Sequence, residues 1–475
     1  MSSRAAGYGV NGKESVAMNG NTVTRRRFLA GALAMPVLIP PGCITHQKGC
    51  VAPRRPVPSE RVALGVIGYG TQGRYNTSNF MQDERVQVVA VCDCNRGSKL
   101  YGYNSGEAGG RDYGVQAVVD HLAKQTGKRD EGACRGFADF REMLEMEGLD
   151  AVLIATPDHW HATQAIAAMR RGKHVYCQKP LSLSVAEGRA ICETARETGV
   201  TFQTGSQQRS DTYFKMAVEF VRNSRLGRIE RVEIGLPKAW HKFYGRQGAD
   251  ASFEPSEVPD GLDYNLWLGT APMRPYCSAL QPLSWRSNYD FAGGVLTDWG
   301  AHHSDIVQWA FDEDLGGPVS IEKIRPVYLP PEKDIFNVAK GFSYDFVYAN
   351  GARVTVSTDL EVGIRFYGEG GRRLFVTRGS IRTEPAALIR EKIQPSEKHV
   401  YLSRSHERNF IDCIYSGEPT VAPAEVGHRS NTIGALAVIG LRTGYTTLKC
   451  DPRHERIIGN ATADAMLTRA MRKWD

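Results

Sequence analysis

The feature that most constrains the fold is a glycine-rich turn that follows a short apolar run. Residues 62–67 are apolar, and Gly68-Tyr69-Gly70-Thr71-Gln72-Gly73 comes directly after them. In such a strand-turn-helix unit the first glycine makes the tight turn, the second lets the backbone approach a pyrophosphate, and the third lets the helix pack on the strand. The helix N-terminus then faces the negative phosphates. The sequence therefore predicts a dinucleotide site with the following cofactor-binding residues: Gly68, Gly70, Thr71, Gln72 and Gly73.

An acidic residue at the end of the second predicted strand refines the expected cofactor. Residues 86–92 form another apolar run, and Asp93 stands 20 residues after Gly73. A carboxylate at this point accepts both ribose hydroxyls and repels a 2′-phosphate. We therefore expect NAD in preference to NADP, with Arg96 nearby leaving NADP as the alternative.

The order of the predicted elements indicates two domains. Strands and helices alternate up to Gly205, which predicts parallel pairing and a doubly wound sheet. After that point, strand-like runs are separated by turn signals such as Asn350-Gly351, which predicts hairpins and an antiparallel sheet. We expect an α/β protein with a Rossmann domain over residues 59–182 and a substrate-binding and oligomerisation domain over residues 183–475, whose closing helices can pack back on the first. Residues 97–134 interrupt the alternation and are interpreted as a surface insertion.

The basic excess of the chain is confined to its first 58 residues. The formal net charge is +7, and this segment holds eight of the 59 Lys and Arg but only one of the 52 Asp and Glu. The rest of the chain is therefore balanced in charge. A nucleic-acid partner requires a basic footprint on the folded domain, and this balance gives no support for one.

The N-terminal segment has the pattern of an export signal. Thr24-Arg25-Arg26-Arg27-Phe28-Leu29 precedes an apolar run over residues 28–39, which is too short to cross a membrane because a span takes about 20 residues. Paired arginines are typical of twin-arginine signals. We expect residues 1–58 to be signal and linker and the protein to be periplasmic, contacting a membrane only during export. The alternative interpretation of this segment is a disordered basic tail. Met18 is an alternative start of the chain, and Cys43 is a weakly supported site for a lipid anchor.

Two groups of polar residues are candidates for the chemistry. Lys179 follows the fourth predicted strand, and ligands of an open parallel sheet bind beyond the carboxyl ends of its strands. A helix over residues 296–311 would place Asp298 and His302 on one face, one turn apart. This spacing is typical of a carboxylate that orients a general base. His303 points about 100° away and is the weaker candidate.

Together these motifs resemble the Gfo/Idh/MocA family, which includes glucose–fructose oxidoreductase and inositol dehydrogenase. The resemblance runs from about residue 61 to residue 474 and is carried by Gly68–Gly73, Thr156-Pro157 with His161, Lys179-Pro180 and Asp298-x-Gly300-x-His302. It implies a Rossmann domain and a second domain whose open, mainly antiparallel sheet often forms homo-oligomers. It also implies that Lys179, Asp298 and His302 line the active site and that Thr156, His161 and Lys179 contribute to the cofactor site.

Exported members of the family share two further segments with this chain, here residues 156–161 and 205–210. Many of them act on sugars, so the resemblance implies a sugar, glycoside or polyol substrate. Gln178 departs from the family, which usually has glutamate before the Lys-Pro pair. The exchange removes a negative charge beside Lys179 but keeps the shape and hydrogen bonding. The candidate substrate-binding residues are Gln207, Gln208, Arg209, Trp285, Arg286 and His303.

Three hypotheses about function remain open. In the first, His302 takes a hydroxyl proton while a hydride passes to NAD, Asp298 orients His302, and Lys179 polarises the reacting oxygen. In the second, tightly bound NAD is recycled, either in redox-neutral glycoside hydrolysis or in hydride exchange between two sugars. In the third, the chain holds the dinucleotide without turnover. No metal is expected, although residues 158–161 together with the Asp298 helix are an alternative metal site.

Overall fold

The computed structural model of the chain describes residues 61–99, 101, 107–238, 254–280, 283–330 and 334–474. Every described residue falls within the unit formed by residues 52–475. The predicted export signal and linker, residues 1–58, lie outside the described residues. In the described part of the chain, no helix combines the length and apolarity that a membrane crossing requires.

The first half of the described chain folds around a six-stranded parallel sheet. Its strands are β1 (Val62–Ile67), β2 (Val86–Cys92), β3 (Arg135–Phe137), β4 (Ala151–Ile154), β5 (His174–Cys177) and β6 (Phe202–Thr204). Their order is β3-β2-β1-β4-β5-β6, with the reversal between β1 and β4 that defines a doubly wound dinucleotide-binding sheet. The central strands form because short runs of Val, Ile, Leu and Ala can be buried on both faces. The predicted Rossmann fold is confirmed, and its sheet continues to Thr204.

Helices cover the two faces of this sheet. They are α1 (Thr71–Phe80), α2 (Arg111–Thr126), α3 (Phe140–Leu144), α4 (Asp158–Arg170) and α5 (Val185–Thr198). The interpretation of residues 97–134 as a surface insertion is wrong for α2, because Val118 and Val119 are buried in the same core as β1 and β2. α5 is capped by Ser184, whose hydroxyl oxygen accepts a hydrogen bond from the Glu187 amide at 3.4 Å and donates one to the Glu187 carboxylate at 2.8 Å.

The second half is built on a nine-stranded sheet. Its strands are β7 (Ile229–Gly235), β8 (Ser320–Tyr328), β9 (Gly341–Val347), β10 (Arg353–Ser357), β11 (Gly363–Gly368), β12 (Arg373–Thr377), β13 (Ser380–Glu384), β14 (Leu448–Asp451) and β15 (Arg456–Ile458). They lie in the order β13-β12-β11-β7-β10-β9-β8-β14-β15. Among the described strands of this sheet only β7 and β10 pair in parallel, so the sheet is mainly antiparallel, as predicted.

The helices of the second half connect this sheet to the first domain. They are α6 (Thr212–Arg222), α7 (Tyr264–Leu268), α8 (Val295–Phe311), α9 (His406–Ser416), α10 (Ala424–Thr443) and α11 (Ala461–Ala465). α8 packs against α10, and each of its residues except Trp299 and Phe311 is buried. Phe410 of α9 makes edge-on ring contacts with Phe80 and Tyr176 of the first domain. The two halves therefore share apolar packing. α10 packs against both α5 of the first domain and α8, which fixes α8 relative to the parallel sheet.

Candidate active site

The turn between β1 and α1 has the backbone geometry that a dinucleotide requires. Gly68 has φ of +89°, and a Cβ there would lie 2.8 Å from the carbonyl oxygen of Ala155. A Cβ on Gly73 would lie 1.9 Å from the carbonyl oxygen of Gly68, so neither position accepts a side chain. No side chain caps α1 at Gly70. The first N–H groups of this helix are therefore available to bind phosphate.

Asp93 lies beside this turn, and the backbone already orients its carboxylate. Its Oδ2 accepts a hydrogen bond from the Tyr69 amide at 3.0 Å, and its Oδ1 accepts one from the Asn95 amide at 2.9 Å. Burial raises the pKa of Asp93 to about 6, so the group is mainly ionised at neutral pH. A buried carboxylate in this place can accept the ribose hydroxyls of NAD and repels a 2′-phosphate.

A cavity of about 750 Å³ lies over the turn and Asp93, and we call it the cofactor cavity. Within the first domain it is also lined by Thr156 and Gln164, whose side chains hydrogen-bond each other at 2.7 Å. The second domain contributes Leu266, Trp267, Leu283, Trp285 and Arg286. A glycine cradle, a ribose acceptor and a mainly apolar lining together fit the chemistry of NAD.

Backbone contacts hold the second domain over the cofactor cavity. Asn95 forms an isolated bridge with Leu262, and the Cys94 carbonyl accepts a hydrogen bond from the Asp263 amide at 2.9 Å. The Trp267 carbonyl accepts one from the Trp160 indole N–H at 3.1 Å. The segment that includes α7 therefore closes over the cavity and is anchored to β2 and α4.

A larger cleft adjoins the cofactor cavity, and we call it the catalytic cleft. Its volume is about 2300 Å³, and Thr71 and Gln72 line both spaces. Its other polar and aromatic residues include Lys179, Gln207, Gln208, Asp298, Trp299, His302 and Arg378. The structure thus brings together the predicted Lys179, Asp298 and His302, although Lys179 follows β5 of the first domain and the other two lie on α8 of the second.

The carboxylate of Asp298 bonds to Lys179, not to His302. Lys179 Nζ forms a short ion pair with Asp298 Oδ1, and Arg286 Nε lies 3.7 Å from Asp298 Oδ2. The prediction that Asp298 orients His302 is therefore wrong in this geometry. The i, i+4 spacing on α8 places both residues at the cleft, but the Lys179 ammonium, which follows β5, is the stronger partner for a buried carboxylate.

His302 presents a neutral imidazole to the catalytic cleft. The residue is 5% exposed, and its Nδ1 has no hydrogen-bond partner in the described part of the chain. Burial lowers the pKa of His302 well below 6.5, and the positive charges of Lys179 and Arg378 lower it further. An unprotonated nitrogen without a partner is the form in which histidine accepts a proton.

The glutamine that replaces the family glutamate belongs to a buried amide network. Gln178 Nε2 donates to Asn76 Oδ1 at 2.8 Å, and Asn76 Nδ2 donates to Glu407 at 2.7 Å. Gln72 Nε2 donates to the same Asn76 oxygen at 2.9 Å. A glutamate at position 178 would place a second carboxylate against this network, in which Glu407 already supplies one. A neutral glutamine at position 178 therefore avoids a second negative charge beside Glu407 of α9. Through Asn76 it also shares a hydrogen-bond network with Gln72, which lies where the cofactor cavity meets the catalytic cleft.

Several predicted residues lie elsewhere than predicted. Arg209 is 2% exposed and pairs with Asp305 at 2.8 Å, and His303 is fully buried beside Trp299 and Phe214. Both are packing residues, so the prediction that they bind substrate is wrong. His161 also fills a structural position, since its ring nitrogens lie 2.9 and 2.8 Å from the carbonyls of Thr156 and Pro180.

The remaining predicted residues divide between the two spaces. Trp285 and Arg286, predicted for substrate, line the cofactor cavity. Gln207 and Gln208 line the catalytic cleft, and the Gln208 amide is buried with neither polar atom hydrogen-bonded in the described residues. Among the residues that the structure describes, no group of three His, Cys, Asp or Glu is placed to hold a metal ion.

One residue of this region was missed from the sequence, and another was considered only as part of an alternative metal site. Arg378 lies in the turn between β12 and β13, where no motif marks it. Asp158 begins α4, and burial and the charge of Asp298 raise its pKa well above the ordinary value. The position of Asp158 directly after the Thr156-Pro157 turn is the sequence feature that could have marked it as part of the site.

The fold and the two spaces define a two-domain protein with a dinucleotide-binding Rossmann domain. The chain belongs to the Gfo/Idh/MocA family. The family's NAD-binding Rossmann fold matches residues 62–206, and its C-terminal alpha/beta domain matches residues 214–475.

Solved structures share this fold at low identity. The WlbA dehydrogenase of Bordetella pertussis, solved with NADH and UDP-GlcNAcA, is 16% identical with a TM-score of 0.56, covering 83% of this chain and 99% of that one. The aldose-aldose oxidoreductase of Caulobacter crescentus is 17% identical with a TM-score of 0.54, covering 82% and 99%.

Curated relatives match over a shorter stretch. The alpha-N-acetylgalactosaminidase of Shewanella oneidensis is 31% identical over 150 residues, which is 32% of this chain and 28% of the relative. Glycosyl hydrolase family 109 proteins of other Shewanella strains match over a similar length. The match thus spans less than a third of the curated relatives.

Replacing Asp93 with asparagine should weaken NAD binding and relax discrimination against NADP. The amide loses the charge-assisted bonds to ribose, so we expect NAD affinity to fall about 10- to 100-fold. Binding of both nucleotides to stripped, refolded protein can be measured by calorimetry. Asp120→Asn on the exposed face of α2 is the matched control. An Asp93→Asn protein that binds NAD normally and still rejects NADP would contradict the assignment.

Proposed function

We propose that the protein transfers a hydride between NAD and a hydroxyl-bearing carbon of a sugar, glycoside or polyol. The observation that carries the proposal is the imidazole of His302, which has a lowered pKa and an Nδ1 without a hydrogen-bond partner in the described residues, at the same cleft as the Lys179–Asp298 pair. The catalytic cleft that holds these groups meets the cofactor cavity at Thr71 and Gln72. NAD, when bound, supplies the hydride acceptor.

Each catalytic residue has a distinct task in this proposal. His302 takes the proton of the substrate hydroxyl as general base. Lys179 donates a hydrogen bond to the same oxygen and stabilises the negative charge that develops there. Asp298 holds Lys179 in position through the ion pair. The alcohol loses one proton and one hydride and becomes a carbonyl.

Gln208 supports recognition of a polyhydroxylated substrate. Its amide is 4% exposed, and both its nitrogen and its oxygen lack partners among the described residues. A buried amide in this state is costly unless a ligand completes its hydrogen bonds. One side chain that donates and accepts matches a pair of neighbouring sugar hydroxyls.

A second candidate function keeps the same residues but returns the hydride within each turnover. A glycoside would be oxidised, its aglycone eliminated, water added, and the sugar reduced again, giving hydrolysis without net redox change. Two observations favour it: the second domain closes over the cofactor cavity, and the curated relatives are named as glycosidases. The closure of the second domain over the cavity supports a tightly held NAD.

The experiment that tests these proposals uses the purified full chain. A denatured sample releases its nucleotide for identification, and we expect NAD. The untreated protein is then given sugars, polyols and 4-nitrophenyl glycosides while nicotinamide absorbance and nitrophenol release are followed. Reduction of the nicotinamide by a sugar supports the first candidate, and nitrophenol release without lasting reduction supports the second. Bound NAD with neither response would overturn both and indicate a binding protein.

We also propose that the protein is exported after folding with its cofactor in place. The twin-arginine pattern before the apolar run of residues 28–39 motivates this proposal. Cell fractionation should place the protein in the periplasm with NAD attached. Replacing Arg25 and Arg26 with lysine should retain it in the cytoplasm, and unchanged export by that variant would contradict the assignment.

A further inference from the structure

One arginine in the catalytic cleft is held on an aromatic ring. Arg378 and Gly379 form the two-residue turn between β12 and β13, since Thr377 and Ser380 are the last paired residues. The Arg378 guanidinium carbon lies 4.3 Å from the centre of the Trp299 ring. Trp299 stands on α8 next to Asp298, so the hairpin turn brings this guanidinium to the catalytic residues.

This contact leaves the guanidinium able to bind a ligand. A cation–π contact is an electrostatic attraction to the ring, so it pairs none of the N–H donors with an acceptor atom. Trp299 also makes an edge-on contact with His303 at 6.0 Å. The indole therefore serves as a support for Arg378, with one face already covered, and is less suited to stack on a sugar ring.

Arg378 is unlike the other cations that line the catalytic cleft. Lys179 pairs with Asp298, and Arg74 pairs with Glu107 at 2.7 Å. Arg378 has no acidic partner in the described part of the chain. Asp211 also lines the cleft, but its carboxylate accepts the amides of the first turn of α6, which already stabilises its charge.

We propose that Arg378 binds a carboxylate on the substrate, so that the protein acts on an acidic sugar or its glycoside. This inference rests on the proposed function for the place of the reacting carbon. A single planar guanidinium matches a planar, singly charged carboxylate by two parallel hydrogen bonds. A phosphate or a sulfate is the alternative anion, and the experiment includes both.

The test measures binding without turnover. Calorimetry on the protein loaded with NADH, which cannot accept a hydride from an alcohol, compares hexoses with their uronic acids: glucose with glucuronate, galactose with galacturonate, and mannose with mannuronate. Sugar 6-phosphates and 6-sulfates complete each series. We expect at least one uronic acid to bind about 10- to 100-fold more tightly than its neutral partner. Arg378→Gln should remove that preference, and Arg378→Lys should keep part of it because the charge remains.

A matched control separates this effect from a general loss of surface charge. Arg382→Gln removes the same charge from β13 of the same hairpin, where Arg382 pairs with Glu361 at 2.6 Å, and should keep the preference. Preferred binding of the phosphate or the sulfate would overturn the carboxylate assignment. The assignment would also be overturned if acid and neutral sugars bound equally, or if no uronate bound at about 10 mM. It would likewise be overturned if Arg378→Gln weakened the binding of acid and neutral sugars equally. Failure of the hydride-transfer proposal would appear separately, in the nicotinamide absorbance.

Discussion

His302→Ala should lower the rate of hydride transfer by about 100- to 10,000-fold, the range expected for loss of a general base. Alanine leaves the hydroxyl proton of the substrate without an acceptor, since no other unprotonated, unpartnered imidazole lines the described part of the catalytic cleft. The rate is measured in a single turnover, from the absorbance of the bound nicotinamide after mixing with substrate. Nucleotide content should not change, because His302 does not line the cofactor cavity.

The pH dependence provides an independent check on His302. Its pKa lies well below 6.5, so the imidazole stays neutral as the pH falls through the range in which an unperturbed histidine is protonated. The acid limb of the pH–rate profile, in which the rate falls as the base is protonated, should therefore lie well below pH 6.5. His454→Ala on the exposed surface is the matched control and should behave as wild type. Full hydride transfer in His302→Ala would contradict the assignment of the base.

The cofactor site is largely predictable from the sequence because its determinants are local. Gly68, Gly73 and Asp93 lie in or directly after elements whose apolar runs are buried on both faces, so their positions follow from the strand ends. β1, β2 and β5 occupy the residues that the apolar runs indicate. Short edge strands such as β3 and β15 are missed because a three-residue run carries little signal.

The catalytic cleft is less predictable because contacts between distant segments decide it. Spacing on α8 places Asp298 and His302 on one face, but it cannot show that Lys179 from β5 takes the Asp298 carboxylate. Arg209 looks like a substrate ligand by its motif, yet Asp305 and Asp314 bury its guanidinium. Arg378 is more than 70 residues from Trp299 in sequence, and only the hairpin in the folded sheet joins them.

Lys179→Met should lower the rate of hydride transfer by about 100- to 1,000-fold, comparable to the loss of one donor at a developing oxyanion. Methionine keeps the length of the side chain but removes the ammonium that faces the substrate oxygen. Asp298 then keeps only Arg286, at 3.7 Å. Single-turnover reduction of the nicotinamide measures the loss, and calorimetry with a substrate sugar shows whether binding is retained.

The pH profile of Lys179→Met separates a catalytic role from a structural one. After burial, the charge of Lys179 is the largest influence that lowers the pKa of His302. Removing this positive charge should raise the pKa of His302, so the acid limb of the rate should move to higher pH. Lys179→Arg keeps the charge and should keep the wild-type acid limb while remaining slow, because a guanidinium cannot occupy the position of the ammonium. A slow Lys179→Met protein with an unchanged acid limb would mean that Lys179 acts only by holding β5 and α8 together.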